Sequence, residues 1–206
     1  MKKKILLLVM LLLLVCGCEE KEEQLPKPEG SGTLQVDKNI NEKTIDNYLG
    51  LDDAVYRDMR MLVDPGNYGA IGGDAYLSGF VKGFEVVPLP YLVNVTGLPE
   101  EVGDAYTGTT LYTQDKDGNY KANYEESLEI LEYLFPKDKT IFLMCGGGGY
   151  AGMTKSLLVA LGWNEEKIYN TGGYWYYEGK NNINVARTNK DGKTVYDFYK
   201  VNFCSF

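Results

Sequence analysis

Thr140-Ile-Phe-Leu-Met-Cys145-Gly-Gly-Gly-Gly-Tyr150-Ala-Gly-Met-Thr-Lys155-Ser-Leu-Leu-Val-Ala-Leu-Gly162 is the stretch that decides the fold. The apolar run ending at Met144 predicts a buried strand, the four glycines predict a tight turn, and the apolar spacing from Met153 to Leu161 predicts a helix. Cys145 then stands where a strand turns into a helix. Backbone N–H groups in such a turn, with a helix N-terminus behind them, favour negative charge, so a thiol placed there is expected to ionise more readily. An inert buried cysteine is the competing expectation, because thiols often act as small hydrophobes. Four consecutive glycines argue against it, since each costs conformational entropy that plain packing gives no reason to spend.

Working outward, the chain continues into Lys167-Ile-Tyr169, a further strand, and then Asn170-Thr-Gly172-Gly173-Tyr-Trp175. Upstream, Asn123 with Glu126 three residues later forms a capping-box pattern ahead of an apolar face at Leu128, Ile130, Leu131, Leu134 and Phe135, and Pro136 ends that helix. Thr110 to Lys121 alternates about Asp117-Gly118 and predicts an inserted hairpin. Phe84 to Val87 predicts a strand stopped by Pro88, and Tyr91 to Val95 is a third apolar run. Ile45 to Met59 reads as a short helical region, and Met61-Leu-Val63 as a buried strand closed by Asp64-Pro65-Gly66. The tail from Ile183 to Phe203 alternates about Lys190-Asp-Gly192-Lys and predicts a closing hairpin. Strands and helices in this alternation predict an α/β domain: a mainly parallel, doubly wound sheet in three layers, helices on both faces, and the site at the carboxyl ends of the strands.

Composition bounds the chemistry. The chain has 206 residues, 44% hydrophobic content and a net charge of −8, which suits one globular domain and disfavours nucleic-acid binding. It has no histidine, so imidazole bases and Cys–His pairs are excluded. Its four cysteines, at 16, 18, 145 and 204, lack the CxxC spacing of zinc or dithiol sites, and neither a metal nor a cofactor is expected.

Met1 to Gly17 carries three lysines and then an apolar run from Ile5 to Val15, too short to span a bilayer and suited to an export signal. Leu14-Val15-Cys16-Gly17-Cys18 resembles a bacterial lipobox. That resemblance implies cleavage before Cys18, lipidation of its thiol and anchoring on the extracytoplasmic side of the cell membrane. Residues 18–33, dense in Glu, Lys, Pro and Gly, predict a flexible acidic tether, and 34–206 a single domain.

With these elements in order, residues of about 45–180 resemble the rhodanese (sulfurtransferase) domain. Leu62-Val-Asp64 is similar to that family's first strand ending in Asp. Gly79-Phe-Val-Lys-Gly83-Phe-Glu-Val-Val-Pro88 is similar to its glycine-bounded segment leading to a strand and proline. Cys145 with Gly148, followed by a helix and then Gly172-Gly173 with Trp175, is similar to its active-site loop and the helix and glycines after it. The resemblance implies a fold of the rhodanese type and a persulfide carried by Cys145. It also implies a binding loop of Gly146, Gly147, Gly148, Gly149, Tyr150 and Ala151. Its partners would be a small sulfur-containing donor and a thiol or other nucleophilic acceptor.

The sequence departs from that pattern where charge is concerned. Gly146 and Tyr150 stand where the loop usually has basic side chains, Phe80 stands in the place of a histidine, and no arginine closely follows Asp64. Lys155 and Lys82 are the candidate replacements. Ala151 lies where a cysteine phosphatase needs arginine, which argues against phosphoryl transfer. The alternative to turnover is a rhodanese-like module that binds an anion, a thiol ligand or a protein partner. A thiol pair between Cys145 and Cys204 is a further option.

Overall fold

The computed structural model describes residues 25–61, 78–94 and 108–204. The expected signal, Cys16, Cys18 and the strand at 62–64 lie outside the described residues. Strands β1 (Gly30–Ser31) and β2 (Val36–Asp37) pair as a small antiparallel unit, and a 3-10 helix covers Ile45–Tyr48. β3 (Ala54–Asp58), β4 (Gly79–Val81) and β5 (Glu85–Val86) follow, then the short helix α1 (Leu89–Leu92). β6 (Tyr112–Gln114) and β7 (Tyr120–Ala122) precede helix α2 (Ser127–Leu134). β8 (Thr140–Cys145), α3 (Gly149–Ala160) and β9 (Ile168–Gly173) form the heart of the chain. It closes with β10 (Asn182–Asn184), β11 (Ala186–Thr188) and β12 (Thr194–Tyr196).

The central sheet has four strands in the order β5-β3-β8-β9, and every pairing in it is parallel. The fold is therefore α/β, as the alternation predicts. Period-two alternation divides β8 between two cores. Ile141, Leu143 and Cys145 face a cluster with Leu131, Leu134, Leu157 and Leu158 from α2 and α3. Phe142 and Met144 face Ile40, Ile45, Val81 and Phe84. Among the described residues both longer helices thus cover one face. The 3-10 helix and irregular segments cover the other, where the sequence predicts helices as well.

Tyr56, Phe142 and Tyr169 are in register across β3, β8 and β9, and their rings stack with centroids 5.1 Å apart at both steps. Each such pair contributes about 0.5–1.5 kcal/mol beyond its buried area. This aromatic row fixes the relative register of the three strands, which in turn sets where the carboxyl end of β8 falls.

The two hairpins form where Asp-Gly turns predict them: β6–β7 about Gly118 and β11–β12 about Gly192. Several other expectations are corrected. Ile45 to Met59 is a 3-10 turn followed by β3 rather than a helical region, because Tyr56 and Asp58 are buried in an extended chain that pairs with β8. The apolar run from Tyr91 begins inside helix α1. Asn123 does not cap α2; its amide donates to the Thr110 carbonyl at 2.9 Å, closing the hairpin, and the helix begins at Ser127.

Residues 25–33, expected as part of the tether, lie against the domain. The Tyr169 hydroxyl donates to the Pro26 carbonyl at 2.6 Å, and Lys27 pairs with Glu166 at 2.7 Å. Together with the turn at Leu34 and β2 that follow, they form a strap beside β9. Among the described residues, no helix is long and apolar enough to cross a membrane.

Candidate active site

Cys145 is the last residue of β8, 3% exposed, with α3 starting four residues later. The Gly148 N–H donates to its Sγ at 3.0 Å, and the backbone amides of Tyr150 and Ala151 lie near enough to favour negative charge on the sulfur. Three of the six expected loop residues thus aim amides at one atom. Gly148 has φ 98°, a left-handed conformation that costs glycine little and a side-chain-bearing residue much more. This conformation turns the loop back into the first turn of α3.

The other loop residues have different duties. The Gly146 carbonyl accepts from the Trp175 N–H at 3.1 Å, and a Cβ at 146 would overlap the Trp175 indole. At Gly147 the same Cβ would lie 3.0 Å from the indole edge, and no hydrogen bond joins Gly147 or Gly149 to the sulfur. The glycine run therefore has a cause beyond flexibility: the indole lies on the loop where side chains would otherwise project. Tyr150 is 5% exposed and belongs to the core, so its ring packs inward.

A cation is present, but not where the sequence suggests. Arg60, two residues beyond β3 and 7% exposed, holds Asp58 through Nε to Oδ1 at 2.9 Å and Nη2 to Oδ2 at 2.5 Å. Its Nη2 also donates to the Gly79 carbonyl at 2.9 Å, and its guanidinium carbon sits 4.5 Å from the Tyr174 ring centroid. Asp58 pairs in register with Met144, which puts the Asp58–Arg60 pair at the Cys145 end of the sheet. The Arg60 Nη1 is buried without a hydrogen-bond partner among the described residues. Lys155 is instead paired with Glu165 at 3.4 Å, and Lys82 is exposed on the turn after β4.

Electrostatics at the sulfur run in both directions. Burial pushes the Cys145 thiol up, the Ala151, Gly148 and Tyr150 amides pull it down, the Asp58 carboxylate pushes it up again, and the net direction is upward. The sequence expectation of an easily formed thiolate is thus corrected: the amide cradle exists, but desolvation outweighs it. Burial also opposes the Arg60 charge, yet Asp58, and after it Cys145 and Tyr174, overcome this and raise its pKa.

The sequence signal for the Arg60 site was available in Asp58-Met-Arg60. Opposite charges at i and i+2 lie on one side of an extended chain and can pair. The sequence resemblance places the Asp-terminated strand at Leu62-Val-Asp64, but the strand that ends in Asp beside β8 is Ala54–Asp58.

Cys204 is not a partner for Cys145. Phe203 bridges Val86 on the side of β5 away from β3, so its neighbourhood lies three strand spacings from β8, about 14 Å. A disulfide needs Cα atoms within about 7 Å. Both thiols are free, and burial raises the Cys204 pKa, with Arg57 lowering it and a hydrogen bond to Glu85 adding to the rise.

Among the described residues, no group of three or more His, Cys, Asp or Glu is placed to hold a metal ion. No family model, curated protein or solved structure matches the chain.

Proposed function

We propose that this chain is a sulfurtransferase of the rhodanese type, working on the outer face of a membrane to which a lipid at Cys18 anchors it. The observation that carries the reading is the convergence of the Gly148, Tyr150 and Ala151 amides on the Cys145 sulfur. Such a ring of donors stabilises an anionic sulfur without any base, which suits a protein lacking histidine. In the reaction, the Cys145 thiolate attacks the outer sulfur of a thiosulfate-type donor. The donor S–S bond breaks, sulfite leaves with the bonding electrons, and a persulfide remains on Cys145. A thiol or cyanide then attacks the terminal sulfur and releases the Cys145 thiolate. Arg60 supplies the positive charge for the anionic donor, with its Nη1 as the open hydrogen-bond position.

Thiocyanate formation from thiosulfate and cyanide tests this reading. The expected result is turnover that vanishes in Cys145→Ser; equal rates in the two proteins would sink it. Metabolic labelling with a fatty acid tests the anchor, and label that persists in Cys18→Ala would rule that residue out.

A second reading has the burial of Cys145 in its favour, because it pushes the thiol up. On this reading the domain binds an anion, a thiol ligand or a protein without turning over. Undiminished ligand affinity in Cys145→Ala would support it.

A further inference from the structure

Four consecutive glycines have more backbone freedom than any other sequence, so whatever aims their amides must lie outside the run. One buried side chain is placed to do this. Asn170, on β9 and 1% exposed, donates from Nδ2 to the Gly148 carbonyl at 3.0 Å and to the Leu34 carbonyl at 2.8 Å. Its Oδ1 accepts from the Gly172 N–H at 3.0 Å. Both amide hydrogens are engaged, and each bond reaches a different segment.

Gly148 is the residue whose own N–H points at the sulfur. Its two peptide planes are linked only through φ 98° and ψ −12°, so holding its carbonyl restricts where its N–H can point. The Gly152 N–H also binds that carbonyl at 3.0 Å, but this is the first-turn bond of α3 and moves with the helix. Leu34, the other acceptor, belongs to the strap between β1 and β2. Val36 of the same strap closes on Gly148, its Cγ2 only 3.0 Å from where a Cβ would stand.

We propose that Asn170 is a positioning residue for Cys145, clamping the Gly148 carbonyl so that the Gly148 amide stays on the sulfur, and tying the strap at Leu34 into the support of the loop. The inference rests on Cys145 being the reacting thiol but not on sulfur transfer itself. The hydrogen bonds of Asn170 go to Leu34, Gly148 and Gly172 and not to the sulfur, so it acts through the loop.

Thiol ionisation reads this out. The charged groups around the Cys145 loop among the described residues are Asp58 and Arg60 at the end of β3 and, from the segment after β2, Glu42, whose carboxylate lies against Gly172. The first turn of α3, Gly149 to Thr154, and all of β9 contain no charged residue, so their titratable groups near the loop are the tyrosines Tyr150 and Tyr169; Tyr174 lies just beyond β9. All of these groups are retained in Asn170→Ala and Asn170→Asp. Asn170→Asp retains the acceptor for Gly172 and loses both donors.

The experiment is the pH dependence of Cys145 alkylation by iodoacetamide in the full chain and the two variants. The other cysteines are followed separately by peptide mass mapping. The midpoint is expected to rise by about one pH unit in Asn170→Ala, as for loss of one hydrogen bond to the charged form, and further in Asn170→Asp. A folded variant whose profile overlays that of the parent would overturn the proposal, even if its melting temperature has fallen. If neither variant folds, the parent protein decides. Its Asn170 side-chain amide resonances should shift with the same midpoint as Cys145 alkylation, and resonances indifferent to that titration would overturn the proposal. A parent that fails to form thiocyanate while the alkylation midpoints move as expected would remove the sulfur-transfer reading and leave this one standing.

Discussion

Asp58→Asn should make the protein less stable and its thiol more acidic at the same time. The Asp58 carboxylate accepts two hydrogen bonds from the Arg60 guanidinium at 2.9 and 2.5 Å, in a pair whose side chains are 0% and 9% exposed. The substituted amide would retain an acceptor for Nε and for the Arg60 backbone N–H, but would set an NH2 group against Nη2. Breaking a buried pair and leaving one charge uncompensated costs about 3–5 kcal/mol. In a domain of this size that lowers the melting temperature by roughly 10 °C. The Cys145 thiol feels the opposite effect. Asp58 pushes its pKa up, so removing that charge while Arg60 stays should lower it. Alkylation at pH 7 would then run faster, because the thiolate fraction rises as the pKa falls toward the working pH. Thermal melting and alkylation rate measured on one preparation check both halves. A folded Asp58→Asn protein whose alkylation midpoint is unchanged or higher would refute the reasoning.

Three more outcomes are expected. Gly146→Ala should cost about 1–3 kcal/mol by forcing a methyl group into the Trp175 indole, and most of that cost should disappear in a Trp175→Ala background, as a double-mutant cycle in denaturant would show. Cys145 keeps its proton to higher pH in the folded than in the unfolded chain, so its contribution to stability is full below about pH 8.5 and is lost as pH rises toward the folded value. Alkaline denaturation of Cys145→Ala should therefore be flatter over that interval. Oxidation of the folded protein should yield no peptide linking Cys145 to Cys204, as peptide mapping after air oxidation would reveal, because three strand spacings separate their strands.

The features legible in the sequence are those carried by local pattern. The Cys145 loop could be read because an apolar strand, a glycine turn and an apolar helix follow one another within about twenty residues. Both hairpins could be read because Asp-Gly marks their turns. β3 was hidden by its own chemistry: a central strand usually shows a continuous apolar run, and this one buries Arg57 and Asp58. Arg57 is neutralised there by Glu85 and by the Leu134 carbonyl, 28 and 77 residues away, which no local pattern could indicate. Met61-Leu-Val63 has the more conventional apolar run for a buried strand, and all of it beyond Met61 lies outside the described residues. Asn170 was hidden for the same reason as Arg57, since it acts on Gly148 and Leu34, 22 and 136 residues away. The glycine run itself was legible, but its cause was not. That depends on an indole nearly thirty residues downstream folding back onto Gly146.

The most direct test of the account is the mass of the peptide containing Cys145 after the protein is treated with thiosulfate or polysulfide and trapped with an alkylating agent. One added sulfur atom is expected on Cys145, removed by cyanide and absent from Cys204. A Cys145 peptide that gains no sulfur from either donor would contradict it.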